Sequence, residues 1–191
     1  MKLALLFILS LNSFWPCRQV LAQAYFECRN WGYARTGNFF KAPVYDWLGN
    51  PLVGSNWRAE LYGGATPDSL SPTVVYSTGI REITPFFRPG LFAGGGVIVL
   101  AVRGGDWAWL QVKVWDVGLG GTYEEASARG LGGCGQSELF YQRGGNPTQL
   151  DLPAPLTGLR SFSVLEPVPE PSTRALLGLG LAWLWWWQRR S

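Results

Sequence analysis

Between Trp107 and Trp115 the chain alternates strictly: Ala108, Leu110, Val112 and Val114 point one way, and Trp109, Gln111, Lys113 and Trp115 the other. A two-residue period belongs to a strand with one buried face; a helix would scatter these apolar positions around its circumference. Upstream, Gly96 to Val102 reads as a fully buried strand, and Gly104-Gly105-Asp106 reads as the hairpin turn joining the two. Shorter strand candidates are 25–29, 43–45, 57–62, 73–76, 79–83, 137–142 and 159–164. Turn clusters separate them, at Gly49-Asn50-Pro51, Gly63-Gly64, Pro89-Gly90 and Gly144-Gly145-Asn146-Pro147. Many short strands with this punctuation predict an all-β fold, an antiparallel β-sandwich of immunoglobulin or jelly-roll type, over residues 25–165. About 140 residues suffice to enclose one such core. One short helix is predicted where Thr122-Tyr123-Glu124-Glu125 forms a capping box that Gly130 can end. Adjacent glutamates on a helix diverge by about 100°, so Glu124 and Glu125 read as helix-start residues rather than an acid/base pair.

Composition narrows the chemistry. The 191 residues include no His, which removes His-based acid/base catalysis, His-activated nucleophiles and most transition-metal sites. The net charge of +3 comes from the ends: residues 25–167 hold 11 basic and 12 acidic side chains, and only two of these are Lys. Such a body lacks the clustered basic face that nucleic acid requires. Calcium-loop, P-loop and nucleophile-elbow motifs are absent from the sequence. Asp46, Glu60, Asp106, Asp116 and Glu138 could support glycosidase chemistry only if two converged to about 5–9.5 Å, which spacing does not indicate. No catalytic residue, metal site or cofactor is therefore assigned, and the chain reads as a non-enzyme.

The two ends carry targeting information. Lys2, the apolar run Leu3 to Leu11 and the small-x-small exit Ala22-Gln23-Ala24 form a secretory signal peptide over residues 1–24, with cleavage expected after Ala24. Its apolar run is too short to span a bilayer, which takes roughly 20 residues. Lipidation at Cys17 is a weaker reading, because Trp15 and Pro16 stand where small residues belong.

At the other end, residues 166–191 divide into three parts. Val168-Pro169-Glu170-Pro171-Ser172-Thr173 comes first, then the apolar stretch Ala175 to Trp187, then Arg189 and Arg190. The prolines forbid helix across the first part, and Ser172 or Thr173 can cap a transmembrane helix over about 173–187. The two arginines stay cytoplasmic by the positive-inside rule. Thirteen apolar residues span about 20 Å; snorkelling of Arg174 and local bilayer thinning close part of the gap to the hydrocarbon core. An ordinary tail anchor behind a Pro-rich linker would share this helix.

This tail resembles the PEP-CTERM sorting signal of exported proteins in Gram-negative bacteria. The likeness rests on Val168 to Thr173, on Leu176-Leu177-Gly178-Leu179-Gly180-Leu181, and on Arg189 and Arg190. The resemblance implies processing by exosortase, a membrane-embedded Cys-dependent enzyme, after signal peptidase has acted. It also implies a precursor held in the inner membrane, then a product at the cell surface or in extracellular matrix or biofilm. The segments Ala42-Pro43-Val44-Tyr45-Asp46, Ala59-Glu60-Leu61-Tyr62-Gly63-Gly64 and Val112-Lys113-Val114-Trp115-Asp116 look like the β-rich body found ahead of such tails in Verrucomicrobia-like bacteria. That likeness implies an architecture and no catalytic residues.

Within the body, Cys28 and Cys134 form an even pair in an exported protein, which suggests one disulfide, with two buried free thiols as the alternative. Trp109 and Trp115 share a strand face with Gln111 and Lys113, a mixture suited to a polysaccharide-binding platform; the more ordinary reading is that the same aromatics fill a core and cover a sheet face. The sequence thus predicts an exported, sorted matrix protein, with a surface polysaccharide-binding module as the other reading.

Overall fold

The computed structural model describes residues 23–166. Ala22 and the segment before it, the Val168 to Thr173 motif, the candidate membrane helix, Arg189 and Arg190 lie outside the described residues. The strands in chain order are β1 (Gln23–Arg29), β2 (Trp31–Tyr33), β3 (Phe39–Lys41), β4 (Val44–Tyr45), β5 (Trp57–Gly64), β6 (Ser71–Pro72), β7 (Val74–Val75), β8 (Thr84–Arg88), β9 (Leu91–Arg103) and β10 (Trp107–Asp116). A single α-helix, α1 (Tyr123–Ala128), precedes β11 (Cys134–Gln136), β12 (Phe140–Arg143), β13 (Ala154–Pro155) and β14 (Phe162–Ser163). The described residues are all-β with one short helix, as the turn-punctuated alternation predicts.

Ten strands form one curled sheet that does not close. Its path runs from β11 and β12, which share one edge of β10, through β5, β8, β9 and β1 to β13. Alternation along β10 is realised residue by residue: Ala108, Leu110, Val112 and Val114 are buried in the main core. They meet Phe26, Val97, Val99 and Leu61 there. Gly63 shows how closely the two sides approach, because a Cβ on it would lie 2.4 Å from Val99 Cγ2. Only a residue without a side chain fits.

Three expectations change. Gly104-Gly105-Asp106 does not close a hairpin: β9 pairs with β1, β7 and β8, while β10 pairs with β5, β11 and β12. The Asp106 N–H bonds to Arg103 O at 3.0 Å, and this turn carries the chain from one side of the core to the other, so both strands bury their apolar faces against each other. Pairing is not purely antiparallel, since the two-residue ladders β1–β13 and β4–β14 are parallel. Residues 79–83 form no strand; Arg81 makes a single bridge to Val74, and its side chain turns inward to an ion pair.

The helix forms as its sequence dictates. Thr122 accepts the Glu125 N–H at 3.3 Å, Glu125 accepts the Gly121 N–H at 2.8 Å, and Gly130 adopts φ +65 beyond the last turn. Among the described residues no helix is long and apolar enough to cross a membrane.

The disulfide expectation is corrected. Cys28 and Cys134 are both free and buried, on opposite faces of the sheet wall. Cys28 lies in the main core with its Sγ 3.8 Å from Thr84 Oγ1, whereas Cys134 sits opposite Trp115 in the small cluster under α1. Burial pushes the Cys28 thiol up to about 12 and raises that of Cys134, so neither is a reactive thiolate near neutrality. Native protein treated with iodoacetamide at pH 7.5 is expected to stay unalkylated at Cys28 and Cys134, and both are expected to be alkylated after denaturation without reductant. Peptide mass mapping of the two positions reads both outcomes, and a Cys28–Cys134 cross-linked peptide that resists alkylation would overturn them.

Candidate functional site

The face of β10 turned away from the core carries the polar and aromatic half of its alternation, and two neighbours divide that face. Over its second half lies α1. Trp115 is fully buried there with Ala126 and Cys134, flanked by Ile83, Leu119 and Tyr123, and its indole N–H bonds to Gly120 O at 3.1 Å. Trp115 is therefore no part of an exposed platform, which corrects the sequence reading: α1 covers it. Alternation tells which side a residue faces and not what lies on that side.

Over the first half of β10 the surface is open. The β10–β12 ladder sets Trp107 opposite Arg143 and Trp109 opposite Tyr141, and residues directly opposite share a face. Tyr141 stacks on Trp107 with ring centroids 5.2 Å apart and planes 22° apart, and tilts against Trp109 at 5.0 Å. Trp107 is 52% exposed and Tyr141 51%, while Trp109 is half-buried. The open aromatic row is Trp107–Tyr141–Trp109. The sequence reading found Trp109 but missed its two neighbours, because only the ladder register places Tyr141.

Beside this row runs a groove of about 670 Å³. It lies at the seam of the curled sheet, between β12 at one end of its path and β13 at the other. The Gln142 amide bridges the seam, donating to Pro155 O at 2.7 Å. The loop between β2 and β3, through Arg35 and Asn38, and the start of β3, through Phe39 and Phe40, form the far wall. Arg35 pairs with Asp151 at 3.1 Å and donates to Leu152 O. Arg143 donates from Nε to Gly105 O at 2.5 Å and meets no carboxylate among the described residues. Among the described residues no acidic side chain lines the groove.

A second polar cluster lies between α1 and β5. Glu60 is fully buried, and Arg81 grips it with two bonds, Nε to Oε1 at 2.7 Å and Nη2 to Oε2 at 2.6 Å. The Tyr62 hydroxyl accepts from Arg81 at 3.0 Å and donates to Glu124, while Arg81 also reaches Glu124 at 3.4 Å. Lys113 Nζ stands 3.9 Å from the Tyr62 ring centroid and 4.9 Å from that of Tyr123. Burial opposes ionisation of Glu124, but the Tyr62 hydroxyl and Arg81 outweigh it and hold the carboxyl below its ordinary value. Burial also lowers the Lys113 ammonium. With both oxygens taken and no exposed surface, Glu60 cannot reach a substrate. The cluster ties α1 to the sheet.

The remaining carboxylates serve separate segments. Asp46 accepts the N–H groups of Leu48 and Asn50 in its own turn, and Asp116 accepts that of Gly118. Asp106 sits in the turn before Trp107, and Glu138 lines a small cavity with Arg160. No group of three or more His, Cys, Asp or Glu that could hold a metal occurs among the described residues. At the N-terminal edge, Ala24 is fully buried within β1 opposite Val99. No family model, curated protein or solved structure matches this chain.

Proposed function

We propose that this chain is an exported, non-catalytic protein of the cell envelope or extracellular matrix of a Gram-negative bacterium. In this reading a sandwich-like body of immunoglobulin or jelly-roll type is sorted and processed through its C-terminal tail. The order of the tail's three parts carries the reading: Pro169-Glu170-Pro171, then an apolar helix, then Arg189 and Arg190. Signal peptidase removes the leader, the C-terminal helix holds the precursor in the inner membrane, and exosortase cuts near the rigid Pro-Glu-Pro segment. The structural commitments of Asp46, Glu60 and Asp116 are consistent with a body that performs no chemistry.

Intact mass of the protein isolated from its native envelope is expected to begin at Tyr25, after cleavage behind Ala24, and to lack Ala175 to Ser191. The variant Pro169→Ala/Pro171→Ala is expected to keep the tail and stay in the membrane fraction. Unchanged processing of that variant would remove the sorting reading.

A second reading is favoured by the exposed Trp107–Tyr141–Trp109 row: the body is a surface polysaccharide-binding module. It needs no enzymatic residue and is compatible with the first.

A further inference from the structure

We infer that the groove between the Trp107–Tyr141 stack and the β2–β3 loop binds an acidic polysaccharide, with the rings seating sugar faces and Arg143 meeting a uronate carboxylate. The inference rests on the second reading above and adds to it a location and a ligand charge.

Aromatic planes recognise pyranose rings because the C–H face of a sugar is apolar while its edges carry hydroxyls. A site for sugar therefore needs flat apolar surface bordered by hydrogen-bonding groups. Trp107 and Tyr141 supply such a surface, half open to solvent and nearly parallel, in an orientation their mutual contact fixes. Phe39, 55% exposed, adds an apolar wall across the groove, and its contact with Tyr33 at 5.4 Å orients it. Asn38 stands beside Phe39 on that wall. At about 670 Å³ the groove is of the size that small ligands fill.

Charge decides the class of saccharide. Among the described residues the lining includes Arg35 and Arg143 and no acid. Asp151 neutralises Arg35, which leaves Arg143 as the cation whose one side-chain bond among the described residues, to Gly105 O, uses Nε. Its two terminal nitrogens remain for a ligand, and a guanidinium presenting two parallel N–H donors matches a carboxylate. A neutral glucan would leave that cation unanswered.

Affinity electrophoresis of the full-length protein in neutral detergent tests this, with polygalacturonate or pullulan cast in the gel at about 0.15 M salt, where distant surface charges are screened. Wild type is expected to be retarded by polygalacturonate at least tenfold more strongly than by neutral pullulan. Trp107→Ala and Tyr141→Ala, both at exposed positions, should each weaken the acidic retardation about tenfold. Arg143→Gln should abolish the preference for acid, and Arg143→Lys should restore part of it. Equal retardation by both polymers, unaltered in Arg143→Gln, would overturn the acidic assignment and leave polysaccharide binding standing. Acidic retardation untouched by Trp107→Ala and Tyr141→Ala would place binding elsewhere and overturn the site. Failure with both polymers would remove the inference together with the reading it rests on.

Discussion

Asn30→Ala is expected to be the most damaging single substitution outside the apolar core. Asn30 is fully buried between β1 and β2, and its side chain joins three segments distant in sequence. Its amide donates to Ala42 O and to Gly90 O, each at 2.8 Å, and its carbonyl accepts the Phe92 N–H at 2.9 Å. The alanine variant strands the Ala42 carbonyl and the Phe92 N–H, while the Gly90 carbonyl keeps the Val44 N–H at 3.0 Å. Each stranded buried group costs about 1–3 kcal/mol, so the total is several kcal/mol against a typical domain stability of about 5–15 kcal/mol. Urea denaturation should show the midpoint falling with little change in slope. Asn30→Leu should be no better, since filling the space restores no bond. A loss under about 1 kcal/mol would mean that water replaces the amide at both stranded groups.

Arg81→Ala carries the next largest expected effect. The substitution leaves the Glu60 carboxylate in the interior without its counterion, a change that typically costs about 3–5 kcal/mol. Arg81 keeps 35% of its side-chain exposure, so water can partly replace it and the lower end, about 3 kcal/mol, is expected. The double variant Glu60→Leu/Arg81→Met removes both charges and should recover most of that loss, because a buried pair is worth little more than apolar side chains of similar size. A double variant as unstable as Arg81→Ala would show that the shape of the pair, not its charge balance, is what matters. The same cluster gives a pH signature through Glu124. Its folded value lies below the ordinary 4.5, so its stabilisation is fully present above 4.5 and is lost as pH falls through the lower folded value. Glu124→Gln should therefore flatten the acid limb of stability against pH while lowering stability near neutrality. An unchanged acid limb would assign it to other carboxylates.

How much of this was legible in the sequence depends on whether the relevant contact is local. The strand character of 107–115 and the burial of Ala108, Leu110, Val112 and Val114 follow from alternation alone. The helix start follows from Thr122 and Glu125, three residues apart. Pairing does not follow, because nothing in Gly104-Gly105-Asp106 distinguishes a hairpin from a turn that crosses the core; the difference lies in which distant strands reach β9 and β10 first. The groove was half legible for the same reason. Trp109 stood out on its own strand, but Tyr141 acquires meaning only through the ladder setting it between two indoles. Trp115 misled because the helix covering it begins eight residues downstream of it and on no shared period. Asn30 gave no signal at all, since its three partners are 12, 60 and 62 residues away.

The place of β1 in the sheet has a consequence for the order in which the molecule assembles. This strand is the first of the body to be synthesised, yet it is an interior strand, held on one side by β9 and on the other by β13. Its antiparallel partner begins at Leu91 and its parallel partner at Ala154. Phe26 and Cys28 must therefore remain uncovered while more than sixty further residues emerge, and the second edge of the strand stays bare until nearly the whole body has appeared. Folding dominated by such distant pairings is slow and exposes strand edges to other chains. The protein cannot cover its own first segment early, so until Ala154 and Pro155 arrive one edge of β1 stays open to pairing with other chains.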